Sequence, residues 1–177
     1  GFDGRWQRYV YNAAGELTHL IEAGGGDAGP GKLTTFERDA MGRLLAKHAH
    51  AAQGMAASSS QYRYDLLGRL LAANNASAHL CFAYDPLGQL LQQTQIDTAG
   101  AASRPRPGRP LQDGLPTGAA RTLAHRYDAL GNRIQTTLPD GRSLHYLHYG
   151  SGHLHQIELE QPDGTRQTIS DIERDAL

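Results

Sequence analysis

The stretch 61–71, QYRYDLLGRLL, constrains the fold most, because it writes a strand, a reversal and a second strand in one short run that the rest of the chain repeats. Tyr62 and Tyr64 lie two apart, so in an extended strand their rings leave one face and Arg63 leaves the other. In Asp65-Leu66-Leu67-Gly68, Asp stands first and Gly fourth in a four-residue turn. There a carboxylate bonds turn amides and glycine takes a positive φ. Arg69-Leu70-Leu71 resumes an apolar run, so the stretch reads as a hairpin built on a type I turn followed by a left-handed glycine.

Related stretches run through the chain: Tyr11-Asn12-Ala13-Ala14-Gly15, Arg38-Asp39-Ala40-Met41-Gly42-Arg43, Tyr64-Asp65 to Gly68-Arg69, Tyr84-Asp85-Pro86-Leu87-Gly88 and Tyr127-Asp128-Ala129-Leu130-Gly131. Tyr149-Gly150-Ser151-Gly152 reads as a weaker copy. Segment 173–177 repeats the start of 37–41 and stops where a glycine would follow, the expected mark of a chain cut from a longer polypeptide. A second turn type is expected to alternate with the first, at Asp3-Gly4, Pro139-Asp140-Gly141-Arg142 and Pro162-Asp163-Gly164-Thr165, as Asp-Gly hairpins.

The glycines at 15, 42, 68, 88, 131 and 152 are 27, 26, 20, 43 and 21 residues apart, and 43 reads as two ordinary steps with one anchor lost. Two strands and two turns need roughly 20 residues. The expected fold is therefore all-β: repeated antiparallel hairpins in one curved, spiralling sheet. Sheet twist supplies the coil, and tyrosines at matched places can stack across neighbouring strands.

These interleaved turns, with His145-Tyr146-Leu147-His148-Tyr149-Gly150-Ser151-Gly152-His153, resemble the Rhs or YD-repeat proteins of bacteria over nearly the whole chain. The resemblance implies a segment of a hollow shell that encloses a toxic C-terminal domain, as in type VI secretion effectors and the cocoon of Tc toxins. It implies as partners the rest of the same polypeptide, the toxin cargo and a VgrG-type spike or chaperone. It also implies a bacterial location, cytoplasmic before delivery and secreted afterwards. A surface module that binds carbohydrate or protein is the alternative function.

Composition sets the exclusions. A formal charge of −1 without a basic stripe argues against a nucleic-acid partner, and no apolar window is long enough for a spanning helix. The start at Gly1 lacks the charged and apolar regions of a signal peptide. Cys81 is the single cysteine, so no internal disulfide forms.

No convergent catalytic set is apparent, so no enzyme activity and no cofactor are expected. Trp6 reads as a packed anchor rather than a stacking platform, and Cys81 as an inert thiol facing away from Phe82 and Tyr84. The glycine-rich 24–31 lacks the strand-to-helix context of a phosphate cradle and reads as a loop. Asp85-Pro86-Leu87-Gly88 matches part of the stretch at which Rhs proteins self-cleave, but Gln89-Leu90-Leu91 follows instead, and a turn accounts for it. His145, His148, His153 and His155 would bind zinc only if three imidazoles converged. Arg43 and Arg69, just after their glycines, lie either over a tyrosine ring or against the turn aspartate; spacing leaves both open.

The expected division is hairpins over 1–96, a Pro/Arg-rich insertion loop over 97–122 around Arg104, Arg106 and Arg109, and hairpins again over 123–177. Segment 53–60 reads as a small-residue connector. About 14 strands make a ribbon of roughly 65 Å. A wall around a cargo domain of about 130 residues needs roughly 140 Å of circumference. The chain would thus form less than one turn of a shell, with two edge strands open to self-association.

Overall fold

The computed structural model describes residues 5–23, 31–50, 57–98 and 119–172, and these hold thirteen strands and no helix. In chain order the strands are β1 (Trp6–Tyr11), β2 (Leu17–Ala23), β3 (Lys32–Arg38), β4 (Leu44–Ala49), β5 (Ser58–Tyr64), β6 (Leu70–Asn75) and β7 (Ala78–Tyr84). There follow β8 (Leu90–Asp97), β9 (Ala120–Tyr127), β10 (Arg133–Thr137), β11 (Ser143–His148), β12 (Leu154–Glu160) and β13 (Arg166–Asp171). Order in the sheet equals order in the chain, β1 to β13. This is the meander that short hairpin turns dictate, since each strand is handed directly to its antiparallel neighbour. No helix among the described residues is long and apolar enough to cross a membrane.

Contacts divide the chain into two units, Gly1–His79 with Asp97–Gly118, and Leu80–Ile96 with Ala119–Leu177. In the first unit β1 to β6 pair antiparallel in sequence, with cross-strand partners such as Tyr9↔Leu20, Thr34↔Ala49, His48↔Ser59 and Tyr62↔Ala73. One residue is left over where the register shifts in each hairpin: Thr18, Leu45 and Leu71, each the second residue of the strand leaving the turn. The second unit repeats the device at Ile134 and His155. A bulge bends its strand and raises local right-handed twist, so these five hairpins carry added twist just after the turn, whereas the shift in β12–β13 leaves over Ile169, the fourth residue of β13.

Neither unit has a core of large side chains. Among the described residues no side chain falls below 2% exposure. Apart from Ile96 the buried set is small or polar: Ala46, Ala49, Ala72, Thr34, His48, His125, Thr136 and Ser143. Neighbouring strands cover such residues, and hydroxyl–imidazole bonds engage some of the polar ones, His48 Nδ1 with Ser59 Oγ at 2.9 Å and His125 Nδ1 with Thr136 Oγ1 at 3.0 Å.

Three expectations on boundaries change. β8 and β9 are hydrogen-bonded neighbours, Gln92↔Ala124 to Ile96↔Ala120, so no lost hairpin stands between them in the sheet. The extra length of the 43-residue step falls in 99–118, outside the described residues. Asp97 belongs to β8 and Ala120–Thr122 to β9, which narrows the expected insertion, and its arginines lie outside the described residues. The connector ends earlier than expected, since Ser58, Ser59 and Ser60 already pair with Ala49, His48 and Lys47. Asp3-Gly4, 24–30 and 173–177 also lie outside the described residues.

Candidate functional site: the joint between successive turns

Most of the turns are built by one carboxylate or amide. Asp65 Oδ1 accepts from the amides of Leu67 at 2.9 Å and Arg69 at 2.8 Å, while its Oδ2 accepts from Arg69 Nε at 2.6 Å. Asp39 repeats this with Met41, Arg43 and Arg43 Nε, and Asp128 with Leu130, Asn132 and the Asn132 side chain. Asn12 does the same as an amide, accepting from Ala14 and Glu16 and donating to Glu16 Oε2 at 2.7 Å. Asp85 accepts from Gln89 N at 2.8 Å. Partial burial pushes the Asp39 and Asp65 carboxyls up, but hydrogen bonds from Arg43 and Arg69 outweigh it and hold both below 3.8. The Asn132 side chain is the chief cause for Asp128, and the Arg142 side chain for Asp140.

The expected second turn type is the same backbone turn reached by different residues. Gly141 N donates to Leu138 O and Leu138 N to Arg142 O, the pattern that Gly131, Asp128 and Asn132 make. Gln161 and Gly164 repeat it. Gly141 and Gly164 sit at φ +86°, like Gly15, Gly42, Gly68, Gly88, Gly131 and Gly152 at +77° to +89°. No other described residue type has positive φ, which excludes a two-residue turn with Asp140 or Asp163 left-handed. Asp140 and Asp163 stand third in their turns and accept from Arg142 N and Thr165 N. The weak copy also shifts: Tyr149 occupies the aspartate's place, since Gly152 N donates to Tyr149 O, and His148 takes the tyrosine's place.

Successive turns meet through the residue that follows the glycine. Arg43 pairs with Asp39 in its own turn, donates from Nη1 to Asp65 O at 3.0 Å in the next, and lies 5.4 Å from the Tyr64 ring centroid. Both readings of this arginine therefore hold at once. A Cβ built on Gly68 would meet the Arg43 side chain at 3.9 Å; one on Gly42 would meet Glu16 Oε1 at 2.5 Å. One on Gly152 would meet Asn132 Oδ1 at 3.3 Å. Glu16, Arg43 and Asn132 hold the same place, so one joint recurs: the side chain after one glycine rests on the glycine of the next turn.

Sequence reasoning missed this joint. Its signal was present, since that place is polar throughout: Glu16, Arg43, Arg69, Gln89, Asn132 and His153. In the second unit Tyr127 OH donates to Leu90 O at 2.9 Å, and Arg133 lies 4.8 Å from the Tyr146 ring centroid.

The remaining candidates stay apart. His145 Nε2 lies 2.8 Å from Glu160, His153 bonds Ser151, and His155 stacks against Tyr149 with centroids 4.7 Å apart. No group of three metal-ligating side chains is found among the described residues. Tyr84 and Cys81 are half-buried on β7, and Trp6 is 52% exposed on β1, so it is not a packed anchor.

No protein-family model matches the sequence. Over 180 residues, 99% of this chain and 11% of the relative, it is 29% identical to double-stranded DNA deaminase toxin A of Burkholderia cenocepacia. Over 144 residues, 77% of this chain and 10% of the relative, it is 31% identical to toxin protein Tse5 of Pseudomonas aeruginosa. The chain spans about a tenth of the length of these curated relatives.

Among solved structures it superposes on TcdB2-TccC3-TEV with a TM-score of 0.70 at 14% identity, over 96% of this chain and 8% of that one. On TcdB2-TccC3 without its hypervariable C-terminal region the score is 0.63 at 13% identity, over 93% and 11%. Fold and turn register define a repeat segment of antiparallel hairpins, similar in sequence to stretches of two bacterial toxins. The chain is related to the Rhs or YD-repeat proteins.

Proposed function

We propose that this chain is a stretch of wall in a YD-repeat shell that encloses a C-terminal toxin domain until delivery, and that the stretch itself catalyses nothing. The carrying observation is the joint: turn after turn, one side chain both closes its own hairpin and clamps the next, which builds an extensible sheet rather than a cleft. Among the described residues no side chain is under 2% exposed and Ile96 is the one large apolar side chain that is buried, which favours a wall over a filled domain. Two toxin relatives roughly ten times its length supply the context of a longer polypeptide with cargo elsewhere. Delivery by type VI secretion or a related system, with a VgrG-type spike or a chaperone as partner, belongs to the same reading.

The test is protease protection in the parent polypeptide. The C-terminal domain is expected to resist a protease that degrades it when expressed alone, and to lose that resistance when Asp39, Asp65 and Asp128 are all changed to Ala. A C-terminal domain cleaved equally fast in both settings would overturn the proposal.

A further inference from the structure

A hydroxyl, an imidazole and a carboxylate stand in line across three strands of the first unit. His48 on β4 and Ser59 on β5 are cross-strand partners, and Glu37 stands on β3 two residues beyond Thr35, the other partner of His48, so all three side chains leave one face. Ser59 Oγ lies 2.9 Å from His48 Nδ1, and Glu37 Oε1 lies 3.2 Å from Nε2 across the ring. Nε2 is buried and makes no aligned hydrogen bond, which is costly for a ring N–H. The Glu37 side chain is 57% exposed, so it turns into line at little cost. An ionised carboxylate only accepts, so it holds the ring proton on Nε2 and leaves Nδ1 to accept from the Ser59 hydroxyl. In the second unit His125 Nδ1 lies 3.0 Å from Thr136 Oγ1, but there Tyr146 OH also donates to Thr136 at 3.3 Å, and burial first and Arg133 second oppose a proton on the ring. Of the two, the Ser59 pair backs its base with a carboxylate, the arrangement that makes a hydroxyl nucleophilic.

We infer that Ser59 is an acylation site: His48 is its base, Glu37 orients the base, and the acyl donor is an activated carboxylic ester. Ser59 Oγ attacks the carbonyl carbon of the donor and passes its proton to His48 Nδ1. The bond from that carbon to the departing oxygen breaks, and the departing group takes the electron pair and then the proton. The acyl group is left as an ester on Ser59. His48 is buried, and the new ester lies between its Nδ1 and solvent, so the imidazole is shielded from water and the ester persists. Ser59 is thus modified once and does not turn over, which agrees with a wall that catalyses nothing.

The experiment treats the whole chain with p-nitrophenyl acetate, digests it with trypsin and maps acetyl groups by mass spectrometry. Ser58, Ser59 and Ser60 fall in one peptide, 48–63, between Lys47 and Arg63. Ser58 and Ser60 leave the opposite face of β5, so the unaltered chain carries its own controls. Acetylation of Ser59 is expected to run roughly 10- to 100-fold ahead of either neighbour, at or below the lower end of what a positioned base supplies. His48→Gln should abolish that lead, and His50→Gln, which leaves the three groups in place, should keep it. Glu37→Gln should cut the lead several-fold; its exposed side chain makes unfolding a poor explanation of that loss. Equal acetylation of the three serines, a lead that survives His48→Gln or is indifferent to Glu37→Gln, or prompt loss of the Ser59 ester once the reagent is removed would each overturn the inference.

Discussion

At residue scale the turn glycines separate two costs that the sequence merges. Gly131 sits at φ +85° with nothing within 4 Å of an added Cβ, so Gly131→Ala pays only for the left-handed backbone, about 1–2 kcal/mol by thermal or urea unfolding. Gly152→Ala adds a 3.3 Å approach to Asn132 Oδ1 and should cost more; equal losses would mean that the joint does not press on its glycine.

The buried imidazole sets a pH dependence. Burial first and Arg133 second hold His125 below 6.5, so the unfolded chain takes a proton that the folded chain refuses. Stability contributed there is full above about 6.5 and falls as the pH drops from 6.5 through the lower folded value. The turn carboxylates, also lowered, add their loss only as the pH falls below 3.8 through their own folded values. A melting temperature followed from pH 8 to 3 should therefore fall in two stages. His125→Asn, which keeps a partner for Thr136, should shrink the first; an unchanged first stage would contradict this origin. Aspartate-to-glycine turns were legible in the residues because every bond that makes them spans at most four positions. The solitary role of each histidine was not, since it depends on which strand lies alongside.

At the scale of hairpins, Arg43 is the test piece. Arg43→Lys keeps the charge but loses the flat fork that reaches Asp39, Asp65 O and the Tyr64 ring together. Hydrogen exchange should then speed up in both hairpins that Arg43 joins, β3–β4 and β5–β6. Faster exchange confined to β3–β4 would reduce Arg43 to a local cap. The Pro-Asp-Gly turns look different in sequence because their first residues, Leu138 and Gln161, are generic and the aspartate sits third, yet the backbone is the same. Periodicity alone also misread the 43-residue step, because a count of residues cannot distinguish a lost hairpin from a long connection between paired strands. The bulges at Thr18, Leu45, Leu71, Ile134 and His155 left no mark in composition, and each adds local twist to its hairpin.

At the scale of the whole molecule, the class of fold was readable because each local signal demanded a reversal and each reversal forced a neighbour. The ends of the sheet order carry the physical consequence. Among the described strands β1 and β13 each have one neighbour, and β1 exposes Trp6, Tyr9 and Tyr11. Such edges template further pairing, so the isolated chain should associate with rising concentration in light scattering, and a constant monomer mass would count against open edges.

Electron cryo-microscopy of the parent polypeptide with its C-terminal domain tests containment most directly. This stretch should appear as hairpins in one layer of a wall, with Arg43 between adjacent turns and density for the C-terminal domain on the enclosed side. A closed, separately packed domain with the C-terminal domain outside it would contradict containment.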